Sequence, residues 1–161
     1  MSDASSDTSI SDNIDGASAP AGTATGTIPP ADEAAIRQVL ALYCQLCDDG
    51  DFDHWVELFT DDARFTVMGR THSGRPALKE FMAAAQPPEK RGKHFLGQSL
   101  ITGVGNRASG VTDYIFVAKA SEPESERRSG YAITSAGRYL DTFLRCPDGA
   151  WRIHTREIVF L

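Results

Sequence analysis

A lone histidine, His94, stands in the stretch GKHFLGQS, residues 92–99, which otherwise has the alternating pattern of a β-strand. One phase of that strand carries His94, Leu96, Gln98 and Leu100. An imidazole among such side chains is either a hydrogen-bonded core group or a general base in a pocket, because imidazole gains and loses a proton near neutral pH. The strand pattern alone leaves both interpretations open.

A carboxylate suited to pair with an imidazole occurs near the end of the first helical pattern. Asp48 follows Cys44 by one helical turn and Leu40 by two, so it lies at the edge of the apolar stripe. A carboxylate at such an edge is partly removed from water and should have a partner. The alternative is an ordinary aspartate in solvent at a helix end.

The remaining histidines are weaker candidates for chemistry. His154 lies between Arg152 and Arg156 on the last predicted strand, where a structural role or a place at the rim of a site is expected. His54 and His72 are expected at the surface.

The spacing of cysteines and histidines does not indicate a metal or redox centre. Cys44 and Cys47 form a C-x-x-C inside a helical pattern, and no second pair completes four zinc ligands, so both are predicted core residues. The sequence has no H-x-H, H-x-x-x-H or E-x-x-H spacing. It also lacks a G-x-S-x-G elbow, a phosphate-binding glycine loop and a dinucleotide fingerprint. A site without metal or cofactor is therefore predicted.

Length and charge limit the class of protein. The 161 residues suit one domain, and the net charge of −6 argues against nucleic-acid and anionic-membrane partners, which favour a basic face. No apolar run approaches the roughly 18–20 residues of a membrane span. The N-terminus MSDASSDTSI has neither the basic start nor the apolar stretch of a secretory signal, so a cytoplasmic protein is expected.

The composition changes near residue 30. Residues 1–30 are mainly Ser, Thr, Ala, Gly, Asp and Pro, and predict a disordered N-terminal tail, because such a segment buries too little apolar surface to offset its ordering entropy. Residues 31–161 are the predicted folded domain.

Three helices are predicted at the start of this domain. Apolar residues at helical spacing predict a helix over residues 31–49, which Gly50 ends. Asp51 is the expected N-cap of a short second helix. Gly74 and Pro76 mark the start of a third helix, RPALKEFMAAA.

The rest of the domain is β-rich. ARFTVMG reads as a strand before the third helix, and KHFLGQSLITGVG, SGVTDYIFVAKA, YAITSAGRYLDTFLR and WRIHTREIVFL follow it. A charged loop follows SGVTDYIFVAKA, and CPDGA marks a hairpin turn between the last two strands. Helices followed by a long antiparallel run indicate an α+β fold. The last two strands are apolar in both phases, so helices and a pocket are expected on one face and a subunit contact on the other.

These elements and four motifs resemble the SnoaL-like branch of the nuclear-transport-factor-2-like superfamily over residues 31–161. The motifs are LYCQLCDDGDFDHWVELFTDDARF, a G-x-P-A-L at the third helix, KHFLGQSLI and GRYLDTFLRCPDGAWRI. The resemblance implies a cystatin-like α+β barrel, a cone-shaped curved antiparallel sheet packed on three N-terminal helices around a pocket.

Two relatives within that superfamily suggest a site. DDGDFDHW followed later by HFLG is similar to scytalone dehydratase and to hexachlorocyclohexane dehydrochlorinase, which implies that Asp48 and His94 form a catalytic dyad. Both relatives begin an elimination by removing a proton, lack cofactors and are trimers. The second histidine of the dehydratase has no counterpart in VTDYIFVAKA, so the proton donor to a leaving hydroxyl is left open among Tyr43, Tyr114, His154 and Arg156.

Ketosteroid isomerase is a further relative. YCQLCDDGD is similar to its first-helix motif, which puts Tyr43 where that enzyme has an oxyanion-hole tyrosine. RFTVMG, however, has no carboxylate where its catalytic base should stand, so that mechanism is disfavoured.

The resemblance also implies the residues that bind the substrate. They are Phe65, Tyr114, Phe116, Ala136, Arg138, Leu140, His154 and Arg156. The two arginines would bind a carboxylate or enolate oxygen, or would only pair with Asp113 and Glu157.

The expected function is that of a cofactor-independent lyase, a dehydratase or dehydrohalogenase, acting on a small hydrophobic cyclic molecule. Self-association as a dimer or trimer through the sheet is also expected. The alternatives are an isomerase, polyketide cyclase or epoxide hydrolase on the same scaffold, or a non-catalytic small-molecule-binding protein.

Overall fold

The computed structural model describes residues 26–119 and 130–161. Most of the predicted N-terminal tail and the charged loop at residues 121–129 lie outside this part of the chain. Residues 26–29 pack against the domain before the first helix begins. The carbonyl of Gly26 accepts a hydrogen bond from the Gly103 amide at 3.1 Å, and the Ile28 side chain is buried. The domain boundary itself stays a prediction.

Three α-helices form one layer of the fold. Helix α1, Pro30–Asp49, ends at Gly50, whose φ of 76° is the left-handed conformation that favours glycine. Helix α2, Phe52–Glu57, begins at Asp51, whose side chain accepts a hydrogen bond from the His54 amide. Helix α3, Arg75–Ala85, follows Gly74. All three agree with the sequence because each carries its own start or stop signal.

Six strands form the second layer: β1 Phe59–Val67, β2 Arg70–Ser73, β3 Gly92–Val104, β4 Arg107–Lys119, β5 Tyr131–Arg145 and β6 Trp151–Phe160. Their order is β2-β1-β6-β5-β4-β3 in a curved sheet that does not close, so β2 and β3 are its edges. The α+β fold, with a cone-shaped curved sheet against three helices, is therefore confirmed. One pair, β1 with β6, is parallel, which no sequence pattern indicated.

Two of the bulges in the sheet affect the strands of the expected site. On β3, Leu96 pairs with Tyr114 and Ser99 with Thr112, so Gly97 and Gln98 oppose a single residue of β4. The bulge reverses the alternation, and the expected phase from His94 through Leu100 is therefore wrong beyond Leu96. Leu100 is 67% exposed. On β6, the extra residue of the second bulge is His154.

The core lies between the concave face of the sheet and the helices. Its largest members are aromatic, among them Trp55, Phe59, Phe65 and Phe143, each with no exposed surface. No helix among the residues that the structure describes is long and apolar enough to cross a membrane.

Cys44 and Cys47 are free, buried thiols of α1, in agreement with their predicted place in the core. Burial is the main reason that the pKa of both thiols rises from 9.0 to about 12. Cys146 is only partly buried.

We expect a thiol-specific disulfide reagent at pH 8 to modify about one thiol per folded chain quickly and all three after unfolding in guanidinium. The measurement is the absorbance of the released aromatic thiolate. Because burial raises the pKa of Cys44 and Cys47, the folded state binds the protons of these two thiols more tightly than the unfolded state does. The resulting contribution to the free energy of unfolding is complete below pH 9 and is lost as the pH rises towards 12. A Cys146→Ser control should show no fast phase, and fast reaction of three thiols in the folded wild type would contradict the burial.

Candidate active site

The side chains of Asp48 and His94 are joined by a short hydrogen bond. Asp48 Oδ1 lies 2.6 Å from His94 Nδ1, and Asp48 Oδ2 accepts a second hydrogen bond from the His94 backbone amide at 3.0 Å. The side chains are only 4% and 9% exposed, respectively. The carboxylate therefore holds the imidazole at two points in a largely water-free position.

The sheet edge explains why these residues meet. Strand β3 has β4 on one side only, so the amides that point away from β4 need acceptors from elsewhere. The last turn of α1 runs along this edge and supplies the carboxylate of Asp48. The same turn is tied to the edge by Lys93, whose ammonium group lies 3.1 Å from Asp49 Oδ1.

The hydrogen bond sets the tautomer of His94. A carboxylate only accepts, so Nδ1 carries a proton in the pair, and in the neutral ring Nε2 then has a free lone pair. Nε2 makes no hydrogen bond to the described residues, and the ring lines a cavity. Such a nitrogen can take a proton from a molecule bound in that cavity.

The cavity has a volume of about 490 Å³, within the usual range for small-molecule sites. The helices contribute Tyr43, Cys47, Phe81 and Met82 to its wall, and the sheet contributes the remaining large apolar side chains. Those from the sheet and from the turn between β1 and β2 are Phe65, Val67, Met68, Tyr114, Phe116, Tyr139, Ile158 and Phe160. A wall of this kind suits a hydrophobic ring system.

Three tyrosines provide hydroxyl groups at this wall. Burial raises the pKa of Tyr43 and of Tyr139 far above the ordinary value and raises that of Tyr114 to a lesser extent. All three therefore stay protonated near neutral pH and can donate hydrogen bonds. Tyr114 Oη lies 3.1 Å from Ser135 Oγ, and its ring stacks on Tyr139 with centroids 4.4 Å apart.

A buried ion pair supports the wall from behind. Arg156 Nε and Nη2 each donate to a different oxygen of Asp141 at 2.7 Å, and neither side chain is exposed. The guanidinium lies 3.9 Å from the centroid of the Tyr43 ring and 4.2 Å from that of Tyr139. The pair thereby fixes two rings that face the cavity.

The structure brings most of the expected site residues together. Tyr43, His94, Phe65, Tyr114 and Phe116 all line the cavity, with Asp48 directly behind His94. Direct pairing across β3 and β4 places Phe116 next to His94, with ring centroids 4.5 Å apart.

The expected orientation of strand β5 is wrong by one residue. Ala136, Arg138 and Leu140 lie on the outer face of the sheet, whereas Ser135 and Tyr139 line the cavity. A shift of one residue turns every side chain of a strand to the other face, and β5 has apolar residues in both phases. Arg138 is half-exposed and pairs with Asp113 at 2.7 Å, as the alternative interpretation expected.

Two residues of β6 also lie outside the cavity. His154, at the bulge, places Nδ1 3.1 Å from Thr60 Oγ1 and 3.5 Å from an oxygen of Asp62. Arg156 is buried behind the wall and pairs with Asp141, not with Glu157. Both side chains were expected to line the cavity, and neither does.

Strand β2 supplies two cavity residues that the sequence did not indicate: Arg70, and His72, which was expected at the surface. Met68 and Gly69 both have positive φ, at 49° and 73°, which is the geometry of a two-residue hairpin turn. The sequence does carry a signal for this hairpin, because ARFTVMG ends in a glycine and the following RTHS alternates in the way that a strand does. The short length of β2 concealed it.

No group of three or more His, Cys, Asp or Glu side chains within residues 26–119 and 130–161 is arranged to hold a metal ion. The prediction of a site without metal or cofactor remains a prediction.

Comparison with known proteins finds one family that matches the chain. A family model described as a SnoaL-like domain matches residues 30–157. None of the curated proteins compared with the chain matches it.

Several solved structures share the fold. A protein of unknown function from Mycobacterium tuberculosis is 28% identical, with 81% of this chain and 77% of that chain covered and a TM-score of 0.73. A nuclear-transport-factor-2-like protein with a cystatin-like fold from Novosphingobium aromaticivorans is 27% identical, with coverage of 81% and 82% and a TM-score of 0.71. A candidate scytalone dehydratase from the same organism is 20% identical, with coverage of 81% and 85% and a TM-score of 0.69, and this likeness shows the fold alone.

We expect Asp141→Asn to lower the free energy of unfolding by about 3 kcal/mol, because it leaves the Arg156 charge buried without its counterion. The measurement is chemical denaturation followed by circular dichroism. Asp113→Asn breaks the exposed pair with Arg138 and should leave the free energy of unfolding nearly unchanged. Equal effects of the two substitutions would contradict a structural role for the buried pair.

Proposed function

The chain belongs to the SnoaL-like family, and from that premise we propose that it is a cofactor-independent lyase that removes a proton from a small hydrophobic cyclic molecule. The observation that carries the proposal is the Asp48–His94 pair, whose free Nε2 belongs to a ring lining an apolar cavity. The resemblance to dehydratase and dehydrochlorinase motifs supports the same chemistry.

A second His–Asp pair in this chain shows why the position of the first matters. His54 Nδ1 lies 2.7 Å from Asp51 Oδ2, but the two side chains are 69% and 41% exposed and stand at the start of α2, outside the cavity. Asp51 has a structural reason to be there, since it caps the helix. Asp48 caps nothing, and its only acceptor role among the described contacts is to hold His94.

The proposed reaction is a β-elimination. Nε2 of His94 takes a proton from a carbon next to an activating group, and Asp48 stabilises the imidazolium that forms. The electron pair of the broken C–H bond becomes a C=C bond as the leaving group departs from the adjacent carbon with its bonding electrons. The hydroxyls of Tyr43 and Tyr114 can donate hydrogen bonds to developing negative charge or to a leaving hydroxyl.

A mechanism with a carboxylate as the base has less support. Among the described residues that line the cavity there is no Asp or Glu, and Asp48 lies behind the imidazole. A proton-transfer isomerase that uses His94 in place of a carboxylate remains the second candidate, because it shares the first step.

We expect His94→Gln to slow proton removal by about a hundredfold or more, because the cavity then lacks the one imidazole that an aspartate orients among the described residues of its wall. The measurement is loss of the acidic C–H signal in the proton NMR spectrum of cyclic ketones and β-hydroxy or β-halo cyclic compounds in D₂O. Exchange reports the first step even when no elimination follows, and the appearance of an alkene signal identifies the lyase.

Asp48→Asn should slow exchange as well, since the amide can stabilise the wrong tautomer and does not balance the imidazolium charge. His54→Gln is the matched control, because it removes a histidine that also contacts an aspartate but lies outside the cavity. Exchange that is equally fast in wild type and His94→Gln would overturn the proposal and favour a non-catalytic binding protein.

Self-association through the sheet remains a proposal. The outer face of the sheet exposes Phe95, Ile115 and Val159, at 56%, 37% and 43% of their surfaces. We expect light scattering after size exclusion to give a dimer or trimer, and Phe95→Lys to shift it towards the monomer because a charge would be buried in the contact. A wild-type monomer at micromolar concentration would contradict this expectation.

A further inference from the structure

The register of the β1–β2 hairpin turns two basic side chains towards the cavity. Val67 pairs with Arg70 and Phe65 with His72, and residues directly opposite each other in an antiparallel pair lie on the same face. Phe65 is buried in the cavity wall, so Arg70 and His72 face the same space. The alternate pair, Thr66 and Thr71, lies on the other face, with their hydroxyl oxygens 2.8 Å apart.

The charge of the cavity wall differs from that of the protein. The chain has 22 acidic residues and a net charge of −6. Among the described residues of the wall, however, Arg70 is the one side chain with a permanent charge. The described part of the wall holds this arginine and no carboxylate. The local electrostatic field in the cavity therefore favours anions, although the protein as a whole is acidic.

Arg70 is also unpaired within the part of the chain that the structure describes. The arginines that the sequence suggested for anion binding, Arg138 and Arg156, are neutralised by Asp113 and Asp141. Arg70 has no such carboxylate. Arg70 is an exposed residue, so its charge carries little burial cost.

The neighbouring His72 has free polar atoms as well. Its ring stacks on Phe81, with centroids 4.1 Å apart and planes inclined by 26°. Neither ring nitrogen makes a hydrogen bond to a described residue. Stacking fixes the ring orientation and leaves its edge available to a bound molecule.

We propose that the molecule bound in this cavity is a hydrophobic carboxylic acid, with its carboxylate on Arg70 and a hydrogen bond from His72. This inference rests on the proposed function and names the substrate class of the same site. Strands β2 and β3 are opposite edges of the curved sheet, so the carboxylate end and the carbon that meets His94 are at different sides of the cavity. A planar carboxylate matches the two-pronged donor geometry of a guanidinium.

The test uses a pair of probes that differ in charge but hardly in shape, 2-naphthoate and the neutral 2-naphthamide. Dissociation constants are measured by isothermal titration calorimetry at low salt for the full-length wild type and for Arg70→Gln, Arg70→Lys and Arg107→Gln. Arg107 is an exposed arginine outside the cavity, so its substitution controls for the loss of one positive charge.

Arg70→Gln should weaken binding of naphthoate about tenfold and that of naphthamide less than twofold, because a hydrogen bond to a charged group is lost for the acid alone. Arg70→Lys should fall between wild type and Arg70→Gln, and Arg107→Gln should bind both probes as wild type does. Naphthamide binding also shows that each variant is folded. Unchanged naphthoate binding in Arg70→Gln, or equal weakening of both probes, would overturn the inference.

These results are separable from those of the proton-exchange experiment. If Arg70 selects the acid but His94→Gln exchanges protons like wild type, the proposed lyase function fails and acid recognition stands. If His94 is required for exchange but Arg70 does not discriminate between the probes, the lyase stands and the substrate is not an acid held by Arg70.

Discussion

A charged guanidinium enclosed in the core is the constraint on which the pocket depends. Arg156 and Asp141 are direct partners across β5 and β6, and a buried charge is tolerated only next to its counterion. The pair therefore fixes the register of these strands. The same guanidinium lies against the rings of Tyr43 on α1 and Tyr139 on β5, so it also fixes the helix against the sheet.

The Asp48–His94 pair follows from that placement. Tyr43 and Asp48 belong to one helix, so the contacts that seat Tyr43 on the sheet also set where the last turn of α1 meets β3. At this edge an unpaired backbone amide and an imidazole require an acceptor, and a single carboxylate serves both. Asp48 thus satisfies the free backbone amide at the sheet edge and also orients the reactive imidazole.

Local signals made the helices and most strands predictable, whereas the faces of the strands were not. Gly50, Asp51 and Gly74 mark helix ends within a few residues of sequence, and the structure has them there. The orientation of β5 depends on packing, because both of its phases are apolar. The pairing of Asp48 with His94 came from family resemblance, since residues 46 positions apart have no common local pattern. Strand β2 was missed because four residues carry too little periodicity.

The bulge at Gly97 and Gln98 has a consequence for how this scaffold can change. It divides β3 into two halves with opposite alternation, so His94 faces the helices from one half and Ser99 from the other. Removal of one bulge residue would restore regular pairing and turn one half over, burying its outward side chains. A substitution that keeps the length of the segment around His94 therefore keeps the bulge, whereas a change of length there would exchange the inner and outer side chains of one half of β3.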